Sequence, residues 1–310
     1  MQALWMILAS LAFSVMSVCI KYASVYYSSM EILMYRGLVG IAIFAVLMWL
    51  RRIPLGTPVI GMHIKRNLAG VIAMSLWFYS IVHMPFATAV VLNSMSSVWL
   101  AAIVLLLSWW QTRTLLHPKL FAAVLLGFAG VVLLLDPRGH HAQAFALWPV
   151  VAGLTAGVLA AIAYMQVQSL GQAGEPNTRT VFYFSIGTAL MGLVGCLVFD
   201  GGLAMPRQGN TLGWLLAVGV LAAIGQWCLT RAYSRGATLV VANLQYLGLV
   251  FSALMGIWLF NDKLSLINWL GIATIIMSSI AATILRPKQS NTHTERSIRK
   301  NSAENAEKHP

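Results

Sequence analysis

Charged side chains are scarce in this chain of 310 residues. Asp, Glu, Lys and Arg together make up 9% of it, whereas a soluble domain carries about 25%. Hydrophobic residues make up 59%, and no polar stretch is long enough to form a separate soluble domain. The composition therefore excludes an ordinary soluble protein and predicts an integral membrane protein.

Catalytic and metal-binding signatures are also missing. The three cysteines lie in apolar runs without CxxC spacing, so neither a disulfide framework nor a zinc site is expected. The chain has no HExxH, no GxSxG and no phosphate loop, and its histidines fall in predicted loops, span ends or the tail. We predict no cofactor, no metal and no enzymatic activity.

The net charge of +12 raises the question of nucleic-acid binding. The basic residues lie between apolar runs and in the tail, not in one patch, so no nucleic-acid partner is predicted. The expected partners are a small-molecule substrate and the lipid bilayer. Gly153 and Gly157 form a common small-residue packing motif and only weakly indicate dimerisation, so we expect a monomer or weak homodimer.

Apolar runs long enough to cross a hydrocarbon core of about 30 Å recur along the chain. They are continuously apolar, whereas the strands of a membrane barrel alternate, so an all-α fold with ten transmembrane helices is predicted. The predicted spans are Gln2–Lys21, Met30–Leu50, Asn67–Met84, Phe86–Trp110, Pro118–Leu135, Phe145–Gln168, Arg179–Phe199, Leu212–Ala232, Ala237–Phe260 and Leu264–Leu285.

The distribution of Lys and Arg predicts that both termini are cytoplasmic. Nine basic residues then lie on cytoplasmic loops and four on outer loops. The cytoplasmic set is Arg51, Arg52, Lys65, Arg66, Arg113, Lys119, Arg179, Arg231 and Arg235. The outer set is Lys21, Arg138, Arg207 and Lys263. Residues 287–310 are polar and lack apolar periodicity, so we expect a disordered cytoplasmic tail.

One segment occurs twice. WFYSIVHMPFATAVVLN (77–93) returns as WCLTRAYSRGATLVVAN (227–243), and six of the 17 aligned positions are identical. We predict two repeats, 1–142 and 143–286. Because five helices are an odd number, the second repeat enters the membrane from the opposite side, and this inverted five-plus-five repeat suits alternating access.

Three segments carry a family resemblance: EILMYR (31–36), ATLVVAN (237–243) and the LFND that ends at Asp262. With the ten spans and the inverted repeat, they make the chain resemble the drug/metabolite transporter superfamily, and specifically an EamA-type member. The resemblance implies a secondary transporter whose cavity is lined mainly by helices one, three, four, six, eight and nine. Helix one here lacks the embedded glutamate that small multidrug relatives use for proton exchange.

Polar and aromatic residues within the predicted spans are the candidates for a substrate site, since unpartnered polar groups are costly in hydrocarbon. They are Trp77, Tyr79, Thr88, Asn93, Trp99, Tyr164, Gln226, Trp227, Thr238, Asn243, Gln245 and Tyr246. Thr88, Asn93 and their repeat mates Thr238 and Asn243 fit either hydrogen bonding between helices or cavity lining.

Arg36 is the one cationic residue well inside a predicted span. Its guanidinium either reaches the membrane surface, pairs across helices, or meets a carboxylate of the substrate. Glu31 is five positions away, on a different face of the helix, so a pair within the helix is not favoured.

These residues predict an inner-membrane carrier of a small metabolite, with export of an amino acid or related compound as the leading case implied by the resemblance. Multidrug efflux is the alternative. A membrane transferase would need an embedded acid, histidine or metal set, and a non-transporting scaffold would leave the repeat unexplained. We further expect two mirror-related gates, one around Trp77, Thr88 and Asn93 and the other around Trp227, Thr238 and Asn243.

Overall fold

The computed structural model describes residues 2–83, 86–112, 118–135, 147–200, 209–260 and 265–284. Within these ranges every regular element is a helix. The eleven helices are α1 (Gln2–Ala23), α2 (Ser29–Leu50), α3 (Ile60–His83), α4 (Phe86–Thr112), α5 (Pro118–Leu135), α6 (Leu147–Gln172), α7 (Asn177–Phe199), α8 (Gly209–Arg235), α9 (Thr238–Leu244), α10 (Leu247–Phe260) and α11 (Leu266–Ile284).

Among the residues that the structure describes, six helical segments are long and apolar enough to cross a membrane. They are Gln2–Ala23, Ser29–Leu50, Leu147–Gln172, Asn177–Phe199, Thr211–Arg235 and Thr238–Met255. Three shorter apolar stretches lie in α4, α5 and α11. The all-helical membrane fold is therefore confirmed, whereas the number of ten spans and the side of each terminus remain predictions.

The helices pack in pairs that relate the two halves of the chain. α1 packs along α8 and α3 along α6, and these four helices surround the centre; α2 packs along α7, and α5 along α11. Exchanging each helix with its counterpart in the other half converts the α1–α8 pair into the α6–α3 pair, and it leaves the α2–α7 and α5–α11 pairs unchanged. Two repeats related by a two-fold axis would produce this pattern, and whether the second repeat is inverted in the membrane remains a prediction.

Glycines allow α2 and α7 to approach closely. A Cβ added at Gly37 would collide with the backbone of Ala189, and one added at Gly192 would collide with the backbone of Met34. In a membrane, where lipid is as apolar as leucine, such close backbone packing holds helices together. The same principle applies to α6, where Gly153 and Gly157 face Leu92 of α4 within the same chain.

The ninth predicted span is not one continuous helix. Residues Gln245 and Tyr246 form a turn between α9 and α10. The amides of Tyr246, Gly248 and Leu249 each donate to the carbonyl three residues earlier, which tightens the backbone locally. Ser14 of α1 donates a hydrogen bond of 2.7 Å to the Gly248 carbonyl. The apolar run predicted a helix over 237–260, but it did not show where hydrogen bonds from a neighbouring helix stabilise a break.

α3 begins earlier than predicted, and this changes the position of Arg66. The sequence placed Arg66 on a cytoplasmic loop, but it lies inside α3 and is 3% exposed. Ile64 and Leu68, on the outward face of the same turns, are 60% and 65% exposed. In these first turns His63 and Arg66 point into the protein and the apolar side chains point outward, the reverse of a soluble helix. The polar residues lower the mean hydropathy here, so the sequence assigned these turns to a loop.

Candidate functional site

A cavity lies among the central helices. Its described lining comes from α1, α3, α6, α7, α8, α10 and the turn at Gln245, and about 100 Å³ of it is open to the centres of water molecules. Since one water needs about 10 to 15 Å³ by this measure, the cavity has room for several waters or a small solute. Its polar lining residues are Ser10, Ser14, Ser17, Arg66, Trp77, Tyr164, Gln226, Gln245 and Ser252.

Several polar atoms in this lining are buried and have no hydrogen-bond partner among the described residues. They are the hydroxyl of Ser10, Nε and Nη1 of Arg66, Nε1 of Trp77 and Oε1 of Gln226. Buried polar groups are normally satisfied, and an unmade hydrogen bond is costly in a dry interior. The cavity therefore presents donors and an acceptor whose partners must come from water or from a bound solute.

Gln245 fixes the wall of the cavity at the helix break. Its Nε2 donates to the hydroxyl of Tyr164 at 3.1 Å, and its Oε1 accepts from the hydroxyl of Tyr233 at 3.2 Å. The two tyrosine rings stack with centroids 4.8 Å apart. One amide thus joins α6, α8 and the turn between α9 and α10.

Two arginines meet at one aromatic ring. The guanidinium carbon of Arg66 lies 4.0 Å from the ring centroid of Phe184, and that of Arg36 lies 5.5 Å from it. Both arginines are buried. Arg66, on the neighbouring helix α3, is therefore as enclosed in the protein as Arg36, and the position of Arg36 well inside a membrane span stays a prediction.

A second cluster of charged side chains lies at the N-terminal end of α3. Glu175, between α6 and α7, accepts a hydrogen bond of 2.7 Å from each of Nε and Nη2 of Arg179, and its carboxylate lies 2.7 Å from Nε2 of His63. Arg179 also donates to the carbonyls of Pro54 and Gly56. These bonds tie the segment before α3 to the α6–α7 turn, one helical turn away from Arg66.

Four of the predicted site residues line the cavity: Trp77, Tyr164, Gln226 and Gln245. Thr238 instead donates to Gln168 at 2.7 Å. The other predicted residues with described side chains make contacts elsewhere: Arg36 with Phe184, Tyr79 with His83, Trp227 with Trp5 and Arg231, Asn243 with Ser278, and Tyr246 with Gly127. Trp99 is 36% exposed on α4. The side chains of Thr88 and Asn93 lie outside the described residues.

Sequence reasoning missed Arg66, Phe184 and the three serines of α1. For the serines a signal was present, because Ser10, Ser14 and Ser17 recur at helical spacing on one face of α1. For Arg66 the spacing to Gly70 and Trp77 would have placed it on the inward face of α3. Phe184 carries no such signal, since an apolar residue suits lipid as well as a cavity.

Comparison with known protein families assigns this helical chain to one of them. The model of the EamA-like transporter family matches residues 1–136 and 147–284. The chain belongs to the EamA-like transporter family. As an EamA-like protein it is a multi-pass protein of the bacterial inner membrane, and the predicted resemblance is confirmed.

Curated relatives of this EamA-like protein are named transporters. The pseudopaline exporter of Pseudomonas aeruginosa is 31% identical over 82% of this chain and 85% of its own length. The riboflavin transporters of Rhizobium johnstonii and Vibrio cholerae are 28% and 27% identical, over 90% and 93% of this chain and 89% and 94% of their own lengths. These similarities establish a small-molecule transporter.

A solved crystal structure also shares the fold. It covers 92% of this chain and 96% of its own, with a TM-score of 0.75 and 20% sequence identity. At that identity the likeness shows the fold alone.

Proposed function

We propose that this EamA-like protein is a secondary transporter that moves a small organic metabolite across the inner membrane by alternating access. Export of an amino acid or a related compound is the leading case. Both termini are cytoplasmic in this proposal, and the two halves, 1–142 and 143–286, exchange conformations around the central cavity. No enzymatic step is involved.

The unsatisfied polar lining of the cavity carries this proposal. The atoms of Ser10, Trp77 and Gln226 that lack partners come from α1, α3 and α8, so they surround the cavity from different sides. Transport pockets combine apolar walls with a few polar groups that orient the solute. A dry packing core would have satisfied these groups or replaced them by apolar residues.

The broken helix gives further support. In secondary transporters, discontinuous helices at the interface of two repeats expose backbone groups at the substrate site. Here the break at Gln245 and Tyr246 lies against the cavity, and Gly248 at its end is held by Ser14 of α1. The contact joins the two halves of the chain at the cavity, where alternating access requires them to move relative to each other.

The named relatives carry different solutes, a pseudopaline and riboflavin, so they support a small organic cargo without selecting one. Multidrug efflux has no specific residue in its favour beyond the aromatic lining. The cargo classes must therefore be separated by measurement.

The test is counterflow in liposomes that contain the purified full-length protein. Liposomes are preloaded with one unlabelled compound, and accumulation of the same labelled compound is followed for amino acids, riboflavin and a cationic dye. We expect accumulation for at least one amino acid or related metabolite, and its loss in Gln226→Leu. The matched control Gln172→Leu changes an exposed glutamine at the end of α6. Accumulation of the dye alone would favour efflux, and none with any compound would contradict the proposal.

A further inference from the structure

Arg66 is held at the cavity wall by its surroundings. A Cβ at Gly70, one turn further along α3, would collide with Nη1 of Arg66. The absence of a side chain at Gly70 therefore provides the space in which the guanidinium lies against the helix. The ring of Phe184 covers one face of the guanidinium at 4.0 Å from its centroid. Nε and Nη1 remain without partners, and the residue lines the cavity.

Arg36 adds a second positive charge on α2. Its guanidinium carbon lies 5.5 Å from the centroid of the same ring, and its Nε also lacks a partner. The side chain is 3% exposed. Both guanidinium groups carry a positive charge and lie against one ring, so the two arginines repel each other and neither neutralises the other.

No carboxylate of the described residues neutralises this pair. These residues include three acidic side chains, Glu31, Glu175 and Asp200. Glu31 caps the start of α2 by bonding the Ser28 amide, Asp200 bonds the Ser28 hydroxyl, and Glu175 is held by Arg179 and His63. The ion pairs formed among described side chains are those of Glu175.

A buried guanidinium without a counter-ion is costly in a membrane protein, and such groups mark paths for ions or substrates. Contact with an aromatic ring offsets only a small part of that cost. An anion entering the cavity would supply the missing charge. Arginine forms charge-assisted hydrogen bonds with the planar carboxylate group especially well.

We propose that Arg66, with the positive charge of Arg36 beside the same Phe184 ring, binds a carboxylate of an organic anion in the central cavity. This inference rests on the proposed transport function and names its substrate class. The unpartnered groups of Trp77 and Gln226 then contact the rest of the solute, with the Gln226 carbonyl oxygen accepting a hydrogen bond from an amine, amide or hydroxyl of the cargo.

The first test measures binding without transport. Purified full-length protein in detergent, at constant chloride, is heated with a panel of amino acids and mono- and dicarboxylates, together with the methyl ester of each and with sodium phosphate. We expect at least one carboxylate to raise the melting temperature while its ester and phosphate do not. Stabilisation by inorganic anions alone, by the esters equally, or by no carboxylate would overturn the assignment.

Two kinds of variant connect the effect to Arg66. Arg66→Gln removes the charge and should weaken the apparent affinity for the stabilising carboxylate by about ten- to a hundredfold, the value of a hydrogen bond to a charged group. Gly70→Ala keeps the charge but displaces the guanidinium, and it should weaken binding as well. Gly61→Ala is the matched control on the same helix, because a Cβ there meets nothing within 4 Å. Undiminished binding in both Arg66→Gln and Gly70→Ala would refute the proposal.

Comparison with counterflow distinguishes the two proposals. Carboxylate binding that depends on Arg66, without flux of any compound, would refute the transport function and leave the site assignment standing. Flux of a neutral compound that is insensitive to Arg66→Gln would leave the transport function standing and refute the assignment.

Discussion

Glu175 and Arg179, one helical turn apart, form a two-pronged ion pair away from solvent, with both nitrogen–oxygen distances at 2.7 Å. Breaking a buried pair by removing one charge leaves the other uncompensated, which costs about 3 to 5 kcal/mol. Glu175→Gln should therefore lower the melting temperature of the purified protein at pH 7. The control is Arg51→Gln, which changes an exposed arginine directly after the end of α2. This variant should melt like the wild type.

The same pair predicts a response to acid. Burial alone would raise the pKa of Glu175, but hydrogen bonds from Arg179 and His63 outweigh it and hold the pKa below its usual value of about 4.5. The folded state thus favours the ionised form, so its stabilisation is present above the unfolded pKa and is lost as pH falls through the folded pKa. Melting curves below pH 4.5 should show a loss in the wild type that is smaller in Glu175→Gln. Parallel curves for both proteins would contradict this.

The contact between Gly192 and Met34 predicts a folding defect. In Gly192→Ala the new methyl group would meet the backbone of α2, which cannot move aside as a side chain can. Overpacking of this kind costs about 1 to 3 kcal/mol. We expect a lower yield of monodisperse protein by size exclusion and a lower melting temperature. Gly213→Ala in α8 meets nothing within 4 Å and should not be destabilised, since alanine favours a helix more than glycine does; an equal loss in both variants would contradict the packing explanation.

The helices could be predicted from the sequence because crossing a membrane demands a continuous apolar run. The helical fold followed from these runs, and the family resemblance followed from the segments 31–36, 237–243 and 259–262 together with the predicted spans and repeat. The site was harder to predict. A hydropathy profile treats Arg66 as the edge of a span, although its neighbours Ile64 and Leu68 face outward and place it in the interior.

Apolar site residues were beyond sequence reasoning for a different physical reason. Phe184 is 2% exposed and its ring lies against two arginines, whereas Phe199 on the same helix is 75% exposed. Lipid and protein interior are equally apolar, so composition does not distinguish the two positions. Polar atoms such as Gln226 Oε1 could be selected as candidates, but whether they are satisfied depends on contacts between distant helices.

The topology prediction survives the new position of Arg66. Without it, eight basic residues lie on the predicted cytoplasmic side against four outside, so both termini are still expected in the cytoplasm. Single cysteines at Ser290 and at Gln143 should be labelled from opposite sides of the membrane. Cys19, Cys196 and Cys228 are buried, which keeps background labelling low, and removing them provides the control. Labelling of both sites from one side would refute the topology.

Asn243 tests whether the repeated segment forms gates or packs helices. Its amide donates 2.9 Å to Ser278, and the Ser278 hydroxyl donates to the Ala123 carbonyl, so it joins α9 to α11 and α5. Hydrogen bonds between membrane helices contribute about 0.6 kcal/mol on average. Asn243→Ala should lower the melting temperature modestly, with Thr274→Ala as control, which changes a half-buried residue of α11 whose hydroxyl donates to the Leu270 carbonyl of the same helix. If the gate hypothesis holds, thiol accessibility from the two sides also shifts, and oppositely in Asn93→Ala.

Gln245 links the helix break to the cavity, and its replacement should separate transport from folding. Gln245→Leu keeps the approximate size but removes the hydrogen bonds to both Tyr164 and Tyr233. The two hydroxyls then lose their shared partner beside the cavity, at a cost of about 1 to 3 kcal/mol for each buried group that stays unsatisfied. Because the lost hydrogen bonds hold the break between α9 and α10, we expect counterflow to fall at least about tenfold. The protein should remain folded, as judged by size exclusion. Gln245→Glu restores an acceptor for Tyr233 but not the donor to Tyr164, so it should recover only part of the activity. Full activity in Gln245→Leu would show that the bridge plays no part in transport.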